Sequence, residues 1–319
     1  MAGPEQALGP ERTEWPGAKS IIALDVGGTA IKSGIVDPET CKILDRRTTP
    51  LHSNAPASDV LSVIAAAVRR HEGHLSDRMP DGLGLAFPSP FDYKKGVCMI
   101  EPGPQAKFEH LYHINVRDEL AERLGMPPAQ VRFMNDAEAA VCGEARFGAG
   151  AKCERLIGLT LGTGLGSCFV NKGRVAKRGK GIPKGEAMLY GEPFEDGIAD
   201  EYFSVRGLMA RFPVRDGPST DVKTASRLAR GKDPEMRRAF RGFGTDLGRF
   251  LEPYTSKFGA EIVLVMGGLA NCLDLFADQV KQEIGIPCLH GQHPGSDAAL
   301  LSVSTLFHQL DPKRIVIGA

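Results

Sequence analysis

From Ser20 to Val36 an apolar run, a glycine break and a second apolar run follow one another: SIIALDV, GGT, AIKSGIV. The pattern predicts strand, tight turn, strand. KILDRRTTP, from Lys42, reads as a third strand, and helical spacing of apolar residues predicts an amphipathic helix from about Ser58 to His71. GLGLAFPSPFD, from Gly82, is a buried strand running into a proline-rich loop. VRDELAERLGM is helical until Gly125, Pro127 and Pro128 stop it. VRFMND is a short strand closed by Asn135 and Asp136, leading into the helix AEAAVCGEARFGAG. ERLIGLTLGTGLGSCFVNKGR, from Glu154, repeats the strand, glycine turn, strand design. A polar, glycine-rich stretch from Val175 to Asp200 predicts a surface excursion. Helical segments reach about Phe258, EIVLVMGGLAN is another buried strand ending in glycines, and SDAALLSVSTLFHQL is a closing helix.

The design near residue 25 returns near residue 162, the echo expected of two similar halves that each open with a hairpin. Strands alternating with helices give an α/β class. A chain of 319 residues, 42% apolar and 24% charged, is long enough for two domains with a core each. Its formal net charge is zero, which argues against a nucleic-acid or membrane-surface partner. No run of ~18 apolar residues is present, so no spanning helix is expected. Seven scattered cysteines without a C-x-x-C predict buried reduced thiols and a cytoplasmic protein. Residues 1–19, with their charges and three prolines, read as a disordered leader.

Four short segments carry candidate chemistry. In Asp25-Val-Gly27-Gly28-Thr29 the glycines let backbone N–H groups approach an anion, and the threonine hydroxyl adds a donor. Asp25 can hold Mg²⁺ or its water shell, and Lys32 adds positive charge. Thr160-Leu-Gly162-Thr163-Gly164-Leu-Gly166 is a second such turn. It continues as a strand, so it is neither a dinucleotide fingerprint nor a Walker A loop; two glycine hairpins clamping one polyphosphate would need neither. Asn135 can hold a substrate hydroxyl while Asp136 accepts its proton, although one of the pair capping the next helix is the competing reading. Gly267-Gly268 would let the chain pass beneath a flat ring, or form an ordinary turn. The pairs His71/His74, His110/His113 and His290/His293 suggest no third metal ligand. The basic stretch 172–184 reads as a solvated loop, with attraction of a phosphorylated substrate or polyphosphate as the alternative.

Taken in order, Asp-x-Gly-Gly-Thr, Asn-Asp, Leu-Gly-Thr-Gly-x-Gly and Gly-Gly resemble the ROK family (repressor, open reading frame, kinase), from about Ile21 to Phe307. The resemblance implies a two-domain actin-like ATPase fold of the ribonuclease H-like type with an interdomain cleft. A small N-terminal domain (20–136) would be rejoined by the closing helix near 297–310, and 137–296 would form the larger domain. It implies ATP-dependent phosphorylation of a small sugar, glucose above all. A kinase for an N-acetylhexosamine or a free aminohexose is the first alternative, and a sugar-responsive regulator the second. The regulators of the family carry a helix-turn-helix before the first glycine turn, and the residues before Ile21 lack that pattern.

By position, Asp25 would order Mg²⁺, through water. Gly27, Gly28 and Thr29 would face phosphate, as would Gly162, Thr163 and Gly164. Gly267 and Gly268 would border adenosine. Asn135 would bind the sugar and Asp136 would be the general base. Ser89 stands in the family's proline loop near the sugar, where glycine is usual. Many members carry a zinc site of three cysteines and a histidine; here KGEAMLYGEPFEDGIADEYFS has none of them, so no zinc is expected. Ile198 then stands for a zinc cysteine, Asp200 for a sugar-binding glutamate, and Glu186 for the motif's glutamate or its histidine. A homodimer is expected.

Overall fold

The structure is a computed structural model and describes residues 20–37, 40–75, 79–103, 107–184, 187–213, 220–293 and 296–307. The leader 1–19 and Glu186 lie outside the described residues. The chain divides into two compact units, Met1–Met134 with Val303–Ala319, and Asn135–Ser302.

In the first unit, β1 (Ile21–Val26), β2 (Ala30–Asp37) and β3 (Lys42–Pro50) form an antiparallel meander, followed by helix α1 (Ala57–Arg69) and strand β4 (Gly82–Phe87). A ribbon of β5 (Phe91–Asp92) and β6 (Val97–Cys98), helix α2 (Val116–Leu124) and strand β7 (Val131–Asn135) complete the run. The five-stranded sheet has the order β3-β2-β1-β4-β7, with β4 parallel to β1. β4 reads as one apolar run because all six of its residues are buried. Val60, Leu61, Ile64, Ala65, Ala67 and Val68 are the buried residues of α1, and they join Ile22, Leu24 and Leu85 in one core. α2 begins at an Asn115 cap and ends at Gly125, whose φ of 66° is the left-handed conformation glycine adopts at little cost.

Buried in this unit, His71 bonds Asp45 and Ser33, each at 2.8 Å. A carboxylate can only accept, so His71 Nδ1–H donates to Asp45 Oδ2, and Nε2 accepts from the Ser33 hydroxyl. Burial pushes the His71 pKa below its ordinary value, and the Asp45 hydrogen bond only partly opposes this. For Asp45 burial pulls upward, but hydrogen bonds from Arg47 and His71 prevail and hold its carboxyl below the usual value.

The second unit opens with α3 (Asp136–Phe147), then β8 (Arg155–Leu161), β9 (Leu165–Asn171) and β10 (Arg174–Val175). A second ribbon, β11 (Pro193–Phe194) and β12 (Gly197–Ile198), precedes helices α4 (Ala199–Tyr202), α5 (Val205–Met209), α6 (Val222–Arg230) and α7 (Pro234–Phe258). Strand β13 (Ile262–Met266), helix α8 (Ala277–Ile284), strand β14 (Cys288–His290) and helix α9 (Asp297–Ser304) follow. The sheet order, β10-β9-β8-β13-β14, reproduces that of the first unit, so the echo in the sequence is a duplicated topology. α7 starts on an Asp233 cap with Pro234 at its first position. Its buried face, including Phe240, Phe243, Leu247 and Leu251, covers the core beside Phe203.

Three expectations need correction. The span 175–200 is not simply a surface excursion, since Leu189 and Ala199 are wholly buried. Its ribbon is held by aromatic packing: Phe194 meets Phe203 at 4.8 Å, Tyr202 at 5.1 Å and Phe250 at 5.7 Å between ring centroids. Gly268–Leu275 is a 3₁₀ helix. The strand before α3 ends on Asn135, and Asp136 is already the first helical residue.

Glu144 of α3 is a buried carboxylate whose oxygens accept three backbone N–H bonds, from Ala149 (3.0 Å), Gln292 (2.9 Å) and His293 (2.7 Å). It ties the end of α3 to the segment after β14. All seven cysteines are free thiols, and Cys98, Cys142, Cys168, Cys272 and Cys288 are buried. No helix among the described residues is long and apolar enough to cross a membrane.

Candidate functional site

In the first unit the Asp25–Thr29 turn joins β1 to β2. Gly27 N–H donates to Ala30 O (3.0 Å), which closes the turn. Behind it, Leu51 N–H donates to Thr29 O (2.9 Å) and Ser53 N–H to Gly28 O (3.1 Å). The turn is therefore fixed from the protein side, while Gly27 and Thr29 are exposed. Asp25, half-buried at the end of β1, faces exposed Lys32 across the β1–β2 register. A side chain at Gly28 would meet Lys107: a Cβ there would lie 2.8 Å from its Cδ. Lys107 thus brings a second cation to this turn, a residue the sequence reading missed because nothing links positions 28 and 107 locally. Ser89 is exposed beyond β4, in a cis peptide with Pro90.

In the second unit, α3 begins with Asn135 as its cap. Asn135 Oδ1 accepts from Glu138 N–H (3.0 Å), and Asp136 Oδ1 accepts from Ala137 N–H (2.8 Å). The capping alternative is realised by the buried Asn135. Glu138 pairs with Lys177 of the basic stretch, which attaches that stretch to the helix start.

The second glycine turn lies beside this helix start. At Gly166 a Cβ would be 3.0 Å from Ala137 Cβ, so glycine is what allows β9 and α3 to approach. Gly162 N–H donates to Gly164 O (3.0 Å), which closes the turn, and Val205 N–H donates to Gly162 O (2.8 Å). Asp200 also reaches this turn: its Oδ1 accepts from Leu165 N–H (2.6 Å) and its Oδ2 from Arg206 Nη2 (3.0 Å). Gly267 abuts Leu161, so the Gly-Gly pair after β13 and the second turn share one edge of the sheet. Gly162 and Gly268 have nothing within 4 Å of where a Cβ would stand. Neither has a positive φ, so neither backbone nor packing demands glycine there, and the space is open to a ligand.

The structure thus gathers Asn135, Asp136, Thr160, Gly162, Thr163, Gly164, Asp200, Gly267 and Gly268 in one unit, and Asp25, Gly27, Gly28, Thr29, Lys32 and Ser89 in the other. Among the described residues no group of three His, Cys, Asp or Glu could hold a metal ion. The ring nitrogens of His71 are taken by Asp45 and Ser33, and His293 Nε2 donates to Phe147 O (2.9 Å).

Solved structures of the same architecture exist. A ROK hexokinase from Thermus thermophilus superposes with a TM-score of 0.67 at 25% identity, over 89% of this chain and 96% of that one. A glucokinase of Streptomyces coelicolor is 27% identical over 82% of this chain and 86% of its own length. A glucokinase of Thermotoga maritima is 33% identical over 51% of this chain, a match spanning about half, 48%, of that enzyme. The fold is that of the actin-like ATPases. The ROK family model matches residues 21–305, which takes in both glycine turns, the Asn135–Asp136 pair and the Gly267–Gly268 pair in family order, and the chain belongs to the ROK family.

Proposed function

We propose that the chain is an ATP-dependent sugar kinase whose substrate is a hexose, glucose in the first instance. The observation that carries this reading is the placement of Asp136 at the start of α3, with Gly166 of the second glycine turn packed on the adjacent Ala137. A proton acceptor and a row of backbone N–H donors on neighbouring elements are the two things phosphoryl transfer asks of a protein. Asp136 takes the proton of the attacking sugar hydroxyl, while Asn135 beside it binds the sugar. The glycine turns stabilise negative charge on the phosphates, with Lys32 and Lys107 adding positive charge at the first. Gly268 leaves room for the adenosine.

Asp25, with Thr29 beside it, fits a metal held mainly by water and phosphate oxygens, because such a Mg²⁺ needs only one or two protein oxygens. Mg²⁺ bound there would neutralise charge on the donor phosphates. That glucokinases are among the relatives supports glucose as the first sugar to test.

The test is a coupled ADP-release assay across hexoses, N-acetylhexosamines and free aminohexoses. Glucose should turn over, and Asp136→Asn should fold yet lose about 10²–10⁴-fold in kcat. Wild-type protein that phosphorylates none of these sugars, or an Asp136→Asn variant keeping more than about a tenth of kcat, overturns the reading.

A further inference from the structure

The span from Leu189 to Val205 is laced to the second glycine hairpin at three points. Leu189 N–H donates to Ser167 Oγ (2.8 Å) on β9, Val205 N–H to Gly162 O (2.8 Å), and Leu165 N–H to Asp200 Oδ1 (2.6 Å). The middle of the three joins two backbone groups and any side chain could accompany it. The Asp200 contact depends on its residue type. Gly164 belongs to the same arrangement, since a Cβ there would stand 2.8 Å from Asp200 Oδ1. Glycine at 164 and a short acid at 200 are thus one fitted pair, and both carboxylate oxygens are engaged, one by the hairpin and one by Arg206.

We propose that Asp200 is a positioning residue for the donor-phosphate hairpin, fixing Gly162–Leu165 through the Leu165 amide, and is not a ligand of the sugar. The proposal rests on the sugar-kinase reading for the identity of the donor. Gly162 N–H closes the turn on Gly164 O, and Asp200 supplies the acceptor that holds the Leu165 side of the hairpin. Arg206 is 59% exposed at its side chain, so its ion pair steadies the carboxylate only slightly, and the charge-assisted backbone bond carries the effect. The span bearing Asp200 therefore reports its conformation directly to the donor site.

The experiment uses Asp200→Ala, Asp200→Asn and Arg206→Ala in the full chain. It reads AMPPNP affinity by calorimetry, the KM values for ATP and for sugar, and hydrogen exchange at the Leu165 amide. Expected for Asp200→Ala are a ~10-fold or greater loss of AMPPNP affinity, a parallel rise in KM for ATP, sugar KM within ~2-fold, and faster exchange at Leu165. Asp200→Asn keeps an acceptor oxygen in place and should recover most of the affinity; Arg206→Ala should stay within ~3-fold of wild type. A sugar KM raised ~10-fold with AMPPNP affinity unchanged would make Asp200 a sugar ligand and overturn the proposal. Unchanged Leu165 exchange in both Asp200 variants would overturn it too. AMPPNP binding and exchange need no turnover, so a wild-type chain inactive on every sugar would refute the kinase reading while these two measurements still decide the role of Asp200.

Discussion

Two adjacent glycines offer a paired test of how the nucleotide edge is built. Gly267 has φ 85° and ψ −174°, a region open essentially to glycine alone, and a Cβ there would lie 2.6 Å from Leu161 O. Alanine would meet backbone strain of roughly 1–3 kcal/mol. Because the obstructing atoms are backbone, Leu161 must shift, adding about 1–3 kcal/mol as in other overpacked sites. Alanine also stiffens the unfolded chain, which returns ~0.4–1 kcal/mol. Gly267→Ala should therefore lose about 1–6 kcal/mol of stability, read from urea unfolding midpoints. Gly268 has neither a positive φ nor a neighbour within 4 Å, so Gly268→Ala should be neutral or more stable by up to ~1 kcal/mol. Both should weaken AMPPNP in calorimetry, Gly267→Ala by moving the Leu161–Gly162 corner and Gly268→Ala by filling the space beside it. The reasoning fails if Gly267→Ala loses less than ~1 kcal/mol. Full AMPPNP affinity in Gly268→Ala would remove Gly268 from the nucleotide site.

Three further outcomes are expected. Glu144→Ala leaves three backbone N–H groups without their acceptor and should cost about 3–5 kcal/mol in denaturant titration, with a cost under 1 kcal/mol counting against its role as a tie. His71 has a lowered folded pKa, so its contribution to stability is complete above the unfolded value of about 6.5 and is lost as pH falls below that toward the folded value. Wild-type stability should therefore decline from pH 7 to 5 with a slope that shrinks in His71→Gln; Asp45, also lowered, adds its own loss only below its ordinary value of 3.8. Because the β11–β12 ribbon is held by rings, EDTA should leave the far-ultraviolet circular dichroism unchanged, whereas Phe194→Ala should lose about 3–5 kcal/mol at most, its partial exposure placing it toward the low end.

What the sequence disclosed was whatever repeats or punctuates locally. Both hairpins, the apolar run of β4 and the stop of α2 at Gly125 are visible within ten residues of themselves, and the structure has them. The Asn135–Asp136 pair could be located but not divided into roles: only the Glu138 N–H to Asn135 Oδ1 bond shows which residue caps the helix. Asp200 against Leu165, Glu144 against His293 and Lys107 over Gly28 join positions far apart in the chain, and no spacing rule reports such contacts. The span 175–200 misled for a related reason, since its polar average conceals Leu189, Phe194 and Ala199, which find apolar partners only in three dimensions.

The split of the first unit between two stretches of chain bears on how the molecule comes into being. Val303 closes over Gly84, where a Cβ would stand 2.9 Å from Val303 O, and Phe307 lies against Gly82. During synthesis the residues that build this sheet emerge first, yet the segment that covers β4 emerges after the whole of the second unit. The second unit, by contrast, is a single continuous stretch and can be finished as soon as it leaves the ribosome. The first half to be translated is thus the last to be completed, and β4 must wait, with one face uncovered, for its final neighbour.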